Sequence, residues 1–256
     1  MRKIKLTLEY DGTGFSGFQR QNGRPTIQAA LEKALSKLFD RRMKIGAASS
    51  RTDAGVHAAG QVVHFVTDSR LELFHIEGGL NRYLPAEIAV VKAEEAPADF
   101  HARFHARSKI YQYSVWHHPS RSPLRARESH HVYGKLDLAR MRRAARVFKG
   151  RHDFRSFCAS SGRDEEAVEN GTVKGRGTVR TVKRFELKKQ GSLILFVIEA
   201  DGFLYHMVRN IVGTMLELGR GKLTVKALKA ILAAKDRRRA GGTAPACGLK
   251  LARVFY

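Results

Sequence analysis

The 256 residues include only two cysteines, Cys158 and Cys247, far apart and outside any C-x-x-C pair. That excludes a disulfide framework and a thiolate zinc site, and it suits a reducing compartment. No continuous apolar run is long enough to cross a bilayer, and Arg2 to Leu8 alternates where a signal peptide would have an apolar core. A soluble, cytoplasmic protein is the expectation. Acids are scarce as well. Asp and Glu number 24 against 47 Lys and Arg, a formal net charge of +23 with a pI near 10.5. A polyanionic partner, nucleic acid first, accounts for that surplus better than a neutral metabolite. Membrane phosphate fits less well, because the basic residues are scattered over apparent strands, helices and loops and line no single apolar-faced helix. The pairs His101 and His105, His117 and His118, and His130 and His131 stand outside any H-E-x-x-H motif and beside no cysteine pair, so no metal site is expected.

What is present reads as two cycles of alternating elements. Ile4, Leu6, Leu8 and Tyr10 alternate with polar residues as a half-buried strand ending at Asp11-Gly12. Ile27, Ala30, Leu31, Ala34, Leu35 and Leu38 recur at helical spacing behind Thr26, a candidate N-cap. A strand over Val62 to Val66, a helix over Leu71 to Tyr83 stopped near Pro85, and a strand over Ile88 to Lys92 follow. This order favours an α+β fold of the split βαβ, ferredoxin-like kind. A second cycle opens with a strand over Ile110 to Trp116. It continues through the helical stripe Leu138, Met141, Ala145 and Phe148, a hairpin of Thr178 to Lys188 with Leu193 to Ala200, a helix over Phe203 to Leu218, and a closing strand over Leu249 to Phe255. Two α+β domains, 1–106 and 107–256, are expected. Ala159 to Gly177 holds Asp164, Glu165, Glu166 and Glu169 among glycines and serines and reads as a mobile loop.

Two segments compete for chemistry. Asp11 to Gln21 is rich in glycine and carries Arg20 and two phenylalanines, so its backbone could approach a phosphate. It lacks the order of a P-loop or a dinucleotide site, and ordinary turn geometry explains it equally well. Ser50-Arg51-Thr52-Asp53-Ala54-Gly55-Val56-His57 places a carboxylate between an arginine and a glycine turn in a strongly basic chain. Asp53 is there a candidate nucleophile or general base, or else a turn cap.

The Asp53 segment also stands in series with the Asp11 to Gln21 loop before it and, after it, with Lys109-Ile110-Tyr111-Gln112-Tyr113, His152-Asp153-Phe154, Thr178-Val179-Arg180-Thr181-Val182, Gly202 to Gly213 and Ala244 to Leu249. In that order, and over almost the whole chain, it resembles the TruA-type tRNA pseudouridine synthases. Ser50, where that family usually has glycine, and the acidic loop are its departures. The resemblance implies two ferredoxin-like halves, mainly antiparallel, with an active-site cleft between them. It implies isomerisation of uridine to pseudouridine on the 3′ side of the tRNA anticodon stem-loop, by a homodimer using neither metal nor organic cofactor. Asp53 would be the catalytic carboxylate, held ionised and aimed by Arg209. Tyr111 would stack on the flipped uracil, and Arg51 would fill the vacated space or grip phosphate. Arg20 joins them as a substrate-binding candidate. A non-catalytic RNA-binding protein and a carboxylate-histidine nuclease built on Asp53 and His57 are the competing readings.

Overall fold

The computed structural model describes residues 1–159 and 177–256, so most of the expected mobile loop lies outside the described residues. The elements run β1 (Arg2–Tyr10), α1 (Ile27–Leu38), β2 (Ala47–Ala48), β3 (His57–Thr67), α2 (Leu73–Tyr83) and β4 (Ile88–Ala96). They continue with β5 (Ser108–His117), β6 (His130–Val132), α3 (Leu138–Ala145), β7 (Gly150–Asp153), β8 (Val179–Gln190) and β9 (Leu193–Ala200). Last come α4 (Met207–Gly219), α5 (Val225–Ala234) and β10 (Leu249–Phe255). The chain is mixed α and β and its sheet pairings are mostly antiparallel. It divides into two compact units, Met1–Lys109 with Lys250–Tyr256, and Ile110–Leu249. The terminal strand follows the second half in sequence but joins the first unit, because Lys250 and Leu251 pair in parallel with His57 and Ala58 of β3.

In the first unit the strands lie in the order β4-β1-β3, with the two-residue β2 on the other side of β3. β1 is antiparallel to both neighbours, pairing Leu6 with Val63 and with Ala93. Its period-two pattern puts Ile4, Leu6 and Leu8, all fully buried, on one face. Ile27, Leu31, Ala34 and Leu35 form the buried stripe of α1, and Thr26 caps it by accepting from the Ala29 N–H. α2 stops at Leu84, held extended (φ −75°, ψ 150°) by the proline after it. Asn81 of α2 is tied to Val90 of β4, its amide nitrogen donating to the Val90 carbonyl and its oxygen accepting the Val90 N–H.

The second unit carries the order β5-β9-β8-β7, with β6 parallel to β5. β8 and β9 form the expected hairpin, turned at Gly191 with φ +57°. Its core is aromatic: the rings of Phe148, Phe154, Phe157 and Phe185 pack at centroid distances of 5.2 to 6.4 Å. The helical stripe ends early, since Arg146–Phe148 tighten into a 3₁₀ turn. α4 buries nearly every face, with Val208, Ile211, Val212, Met215 and Leu218 inside.

Candidate active site

Asp53 stands, half-buried, in the short loop between β2 and β3, just before the chain enters β3 at His57. Local bonds fix that loop. The Asp53 carbonyl accepts the Val56 N–H at 3.1 Å across a turn in which Gly55 takes φ +73°. Thr52, buried, places its hydroxyl 2.7 Å from the Tyr10 hydroxyl at the end of β1. Its carbonyl accepts the Phe18 N–H at 3.0 Å. Gln61 reaches across from β3: its Oε1 accepts from the Ser49 hydroxyl at 2.6 Å, and its Nε2 donates to the Ser50 carbonyl at 2.7 Å. The Ser49 carbonyl in turn accepts from the Lys109 ammonium.

The glycines of the Asp11 to Gln21 segment have their explanation here. A Cβ on Gly12 would fall 2.1 Å from the Val56 carbonyl oxygen. On Gly17, whose φ is +94°, it would fall 2.8 Å from the Thr52 carbonyl oxygen and 3.2 Å from the Asp53 carbonyl carbon. The two loops therefore touch backbone to backbone, which only glycine permits. Gly14 has open space around it and serves no such approach. Sequence reasoning did not single out Tyr10, Thr52 or Gln61 as supports. For Tyr10 and Gln61 the signal was a polar side chain on an inward position of an otherwise apolar strand, visible only once the strand's facing is known; Thr52, in the loop, gave none.

His57 is also taken up in holding loops together. Its Nδ1 lies 3.1 Å from the Gly12 N–H, which donates to it in the neutral ring, and 3.1 Å from an Asp11 carboxylate oxygen. Among the described residues no three side chains from His, Cys, Asp and Glu gather into a ligand group. Arg51 is exposed next to Asp53. Arg20 is bound within the first unit: its Nε and Nη2 donate to one oxygen of Glu32 at 3.0 and 2.6 Å, while Gln28 donates to the other at 3.0 Å. The Glu32 side chain is only 5% exposed, so Arg20 answers a nearly buried carboxylate on α1.

Tyr111 and Arg209 belong to the second unit. Tyr111, on β5, is 7% exposed and packs edge-on against Phe203, with centroids 4.9 Å apart. Arg209 sits in the first turn of α4, which begins after His206 in a left-handed conformation (φ +60°). A cation near a helix N-terminus opposes the helix dipole, at a cost of about 0.3–1 kcal/mol. The helix dipole therefore gives no reason for arginine at this position. The side chain is held by its Nε donating to the Ala244 carbonyl at 2.8 Å, and the Ala244 N–H donates back to the Arg209 carbonyl at 3.1 Å. Its charge acts on the buried Tyr113 and the half-buried Cys247. Burial pushes the pKa of the Tyr113 hydroxyl and of the Cys247 thiol up, and Arg209 pulls both the other way. Tyr113 keeps its proton and donates it to the Pro245 carbonyl at 2.8 Å.

The sequence is similar to those of known proteins over its whole length. The sequence profile of a family described as tRNA pseudouridine synthase matches residues 7–105 and 144–256. A protein of Geobacillus kaustophilus, tRNA pseudouridine synthase A, is 44% identical over 256 residues, covering all of this chain and 95% of that one. Proteins of the same name from Ruminiclostridium cellulolyticum and Moorella thermoacetica are each 42% identical, over 100% and 99% of both chains respectively. With the profile spanning both units and the relatives matched end to end, the chain belongs to the tRNA pseudouridine synthase family.

Proposed function

We propose that this protein isomerises uridine to pseudouridine in the anticodon stem-loop of tRNA, with Asp53 as the catalytic carboxylate. Similarity to pseudouridine synthases over the full length carries the reading. The fixed setting of Asp53 supports it: a carboxylate on a loop pinned by Gln61, Thr52 and two glycine contacts is already aimed before substrate arrives. The reaction breaks the N1–C1′ bond, turns the uracil and forms C5–C1′; C5 gives up a proton and N1 gains one, so atoms and charge balance without oxidant or reductant. Asp53 serves as nucleophile or base.

The other residues follow from the same reading. It requires Asp53 of the first unit and Tyr111 and Arg209 of the second to serve one uridine. Arg209 keeps the carboxylate ionised, as an opposite charge within a few ångströms lowers a carboxylate pKa by about 1–3 units. Tyr111 gives the extruded base a flat surface, offsetting an unstacking cost of a few kcal/mol. Arg51 fills the gap left in the RNA or grips phosphate, while Arg20 is held by Glu32. Each half is a ferredoxin-like split βαβ unit, which the antiparallel order β4-β1-β3-β2 of the first supports. The enzyme works as a cytoplasmic homodimer, and the net charge of +23 on each chain suits an RNA read by shape and by flipped-out bases.

The test is incubation of the purified protein with an unmodified tRNA transcript, followed by pseudouridine mapping through chemical labelling and primer extension. Signal confined to the anticodon stem-loop is the expected result. Binding without signal on several tRNAs would leave a non-catalytic RNA-binding protein, and cut RNA would restore the nuclease.

A further inference from the structure

Next to Arg209 on α4 stands Asn210, whose side chain is fully buried. A buried amide must find partners, and this one finds three. Its Nδ2 donates to the Phe157 carbonyl at 2.8 Å. Its Oδ1 accepts from the Thr243 hydroxyl at 2.6 Å and from Arg237 Nη2 at 3.0 Å. The same Arg237 nitrogen donates to the Thr243 oxygen at 3.1 Å, so Asn210, Thr243 and Arg237 close a ring of bonds in which each donor has an acceptor.

The ring lies where the 241–244 segment crosses α4 at backbone distance. A Cβ on Gly213 would sit 1.7 Å from the Gly242 carbonyl oxygen. Thr214 fixes the crossing on the next turn, donating to the Asn210 carbonyl at 2.8 Å and accepting the Gly241 N–H at 2.9 Å. The segment then delivers Ala244, the residue bonded to Arg209 in both directions, through side-chain Nε and through the backbone. A guanidinium is a rigid planar fork, so the bond at Nε sets the plane in which the two Nη groups lie. Whatever holds the Ala244 carbonyl therefore sets the orientation of that plane.

We propose that Asn210 and Thr243 are positioning residues, which orient the Arg209 guanidinium by fixing the carbonyl of Ala244. The inference rests on the role given to Arg209 above and deepens it. A purely structural ring would serve folding alone. A positioning ring makes the chemical step depend on the Thr243 hydroxyl beyond any effect on stability.

The experiment uses the full-length protein and single-turnover pseudouridine formation on an unmodified tRNA transcript, with tRNA affinity and Tm measured alongside. Thr243→Val keeps the side-chain shape and removes the hydroxyl; Thr243→Ser keeps the hydroxyl and removes the methyl. Misplacement of a positioned group costs about 10- to 100-fold in rate. A loss of that size is expected in Thr243→Val with affinity retained, and near wild-type rates in Thr243→Ser even where its Tm is the lower. Rates that follow Tm through the two variants, or a wild-type rate in Thr243→Val, would overturn the proposal. Should Thr243→Val fail to fold, Thr243→Ala removes the same hydroxyl, and unchanged single-turnover chemistry there would count equally against it. Arg209→Ala separates the two levels: full activity defeats the role of Arg209 itself, while an inactive Arg209→Ala beside an unaffected Thr243→Val defeats only the positioning.

Discussion

Gln61 bonds Ser50 as a neighbouring strand would: its Nε2 donates to the Ser50 carbonyl at 2.7 Å and its Oε1 accepts the Ser50 N–H at 3.3 Å. The Ser49 hydroxyl donates to the same oxygen at 2.6 Å, and Gln61 itself is fully buried. A single side chain thus replaces ladder pairing beyond the two residues of β2 and holds the approach to Asp53. Gln61→Leu takes their partner from the Ser50 N–H and carbonyl, at about 1–3 kcal/mol for each one that stays buried. The variant is expected to melt several degrees lower and to turn over more slowly, with tRNA affinity less affected. A melting curve and single-turnover rates check this, and a variant with wild-type values for both would show that the loop needs no such anchor.

Glycine substitutions separate the two kinds of glycine in the Asp11 to Gln21 segment. Gly17→Ala imposes a side chain at φ +94° and on the Thr52 carbonyl, whereas Gly14→Ala enters open space. A left-handed conformation costs a side-chain-bearing residue roughly 1–2 kcal/mol before any clash is counted. Gly17→Ala should lose both stability and rate, and Gly14→Ala neither. Asp53→Asn, which changes one atom, should abolish turnover while leaving the melting temperature and tRNA affinity close to wild type. Full turnover in Asp53→Asn would remove the central role from this loop.

Arg20 presents a choice that salt titration resolves. Its bonds to Glu32 account for it as a structural cation, because Arg20→Ala strands a carboxylate that is 5% exposed. If it also grips phosphate, its removal reduces the slope of log affinity against log salt by about one. The pairing predicts a lower Tm in Arg20→Ala with an unchanged slope. A reduced slope would return Arg20 to the RNA interface. For the wild-type protein itself, affinity should fall steeply with added salt, given 47 basic against 24 acidic residues.

Periodicity carried much of the fold. β1, α1 with its Thr26 cap, the β8–β9 hairpin and β10 all follow from patterns of two or 3.6 along the chain. The shortfalls have physical causes. β3 begins at His57, earlier than Val62, because Ala58, Ala59, Gly60 and Gln61 have weak strand propensity and are recruited by pairing with β1. α4 starts at Met207 rather than Phe203, the chain entering it through the left-handed His206. β2 is too short to leave a periodic signal, and α5 (Val225–Ala234), capped by Thr224, was passed over although its Leu228, Ile231 and Leu232 face the interior. At the site, Asp53 was legible from its neighbours in sequence. Gln61, Asn210 and Thr243 were not: the first two are polar residues on inward faces and Thr243 is an exposed loop residue, and each announces a network only after its partners are brought beside it from distant segments.

His64 gives the structure an acid-sensitive point. It is 5% exposed in β3. Its Nδ1 accepts the Ala102 N–H at 3.2 Å, and the Gly46 backbone lies so close that a Cβ there would fall 2.4 Å from Nε2. Burial, followed by the nearby His101 and Lys3 charges, lowers its pKa to about 4. Burial likewise lowers His101 and His130. A base whose folded pKa lies below its unfolded value stabilises the protein fully above the unfolded value, near 6.5, and loses that contribution as pH falls toward the folded one. For His64 the amount lost is on the order of 2–3 kcal/mol. The carboxylates with lowered pKa, Asp68, Glu94, Asp153 and Asp236, weaken the fold only as pH falls through their ordinary range and below, so the histidines own the interval from about pH 6.5 to 4.5. Melting temperatures should drop across that interval, at about 2–4 °C per kcal/mol for a chain of this size. His64→Asn keeps an acceptor for the Ala102 N–H but cannot titrate, and should flatten the drop. An equally steep decline in His64→Asn would place the sensitivity at His101 or His130 instead.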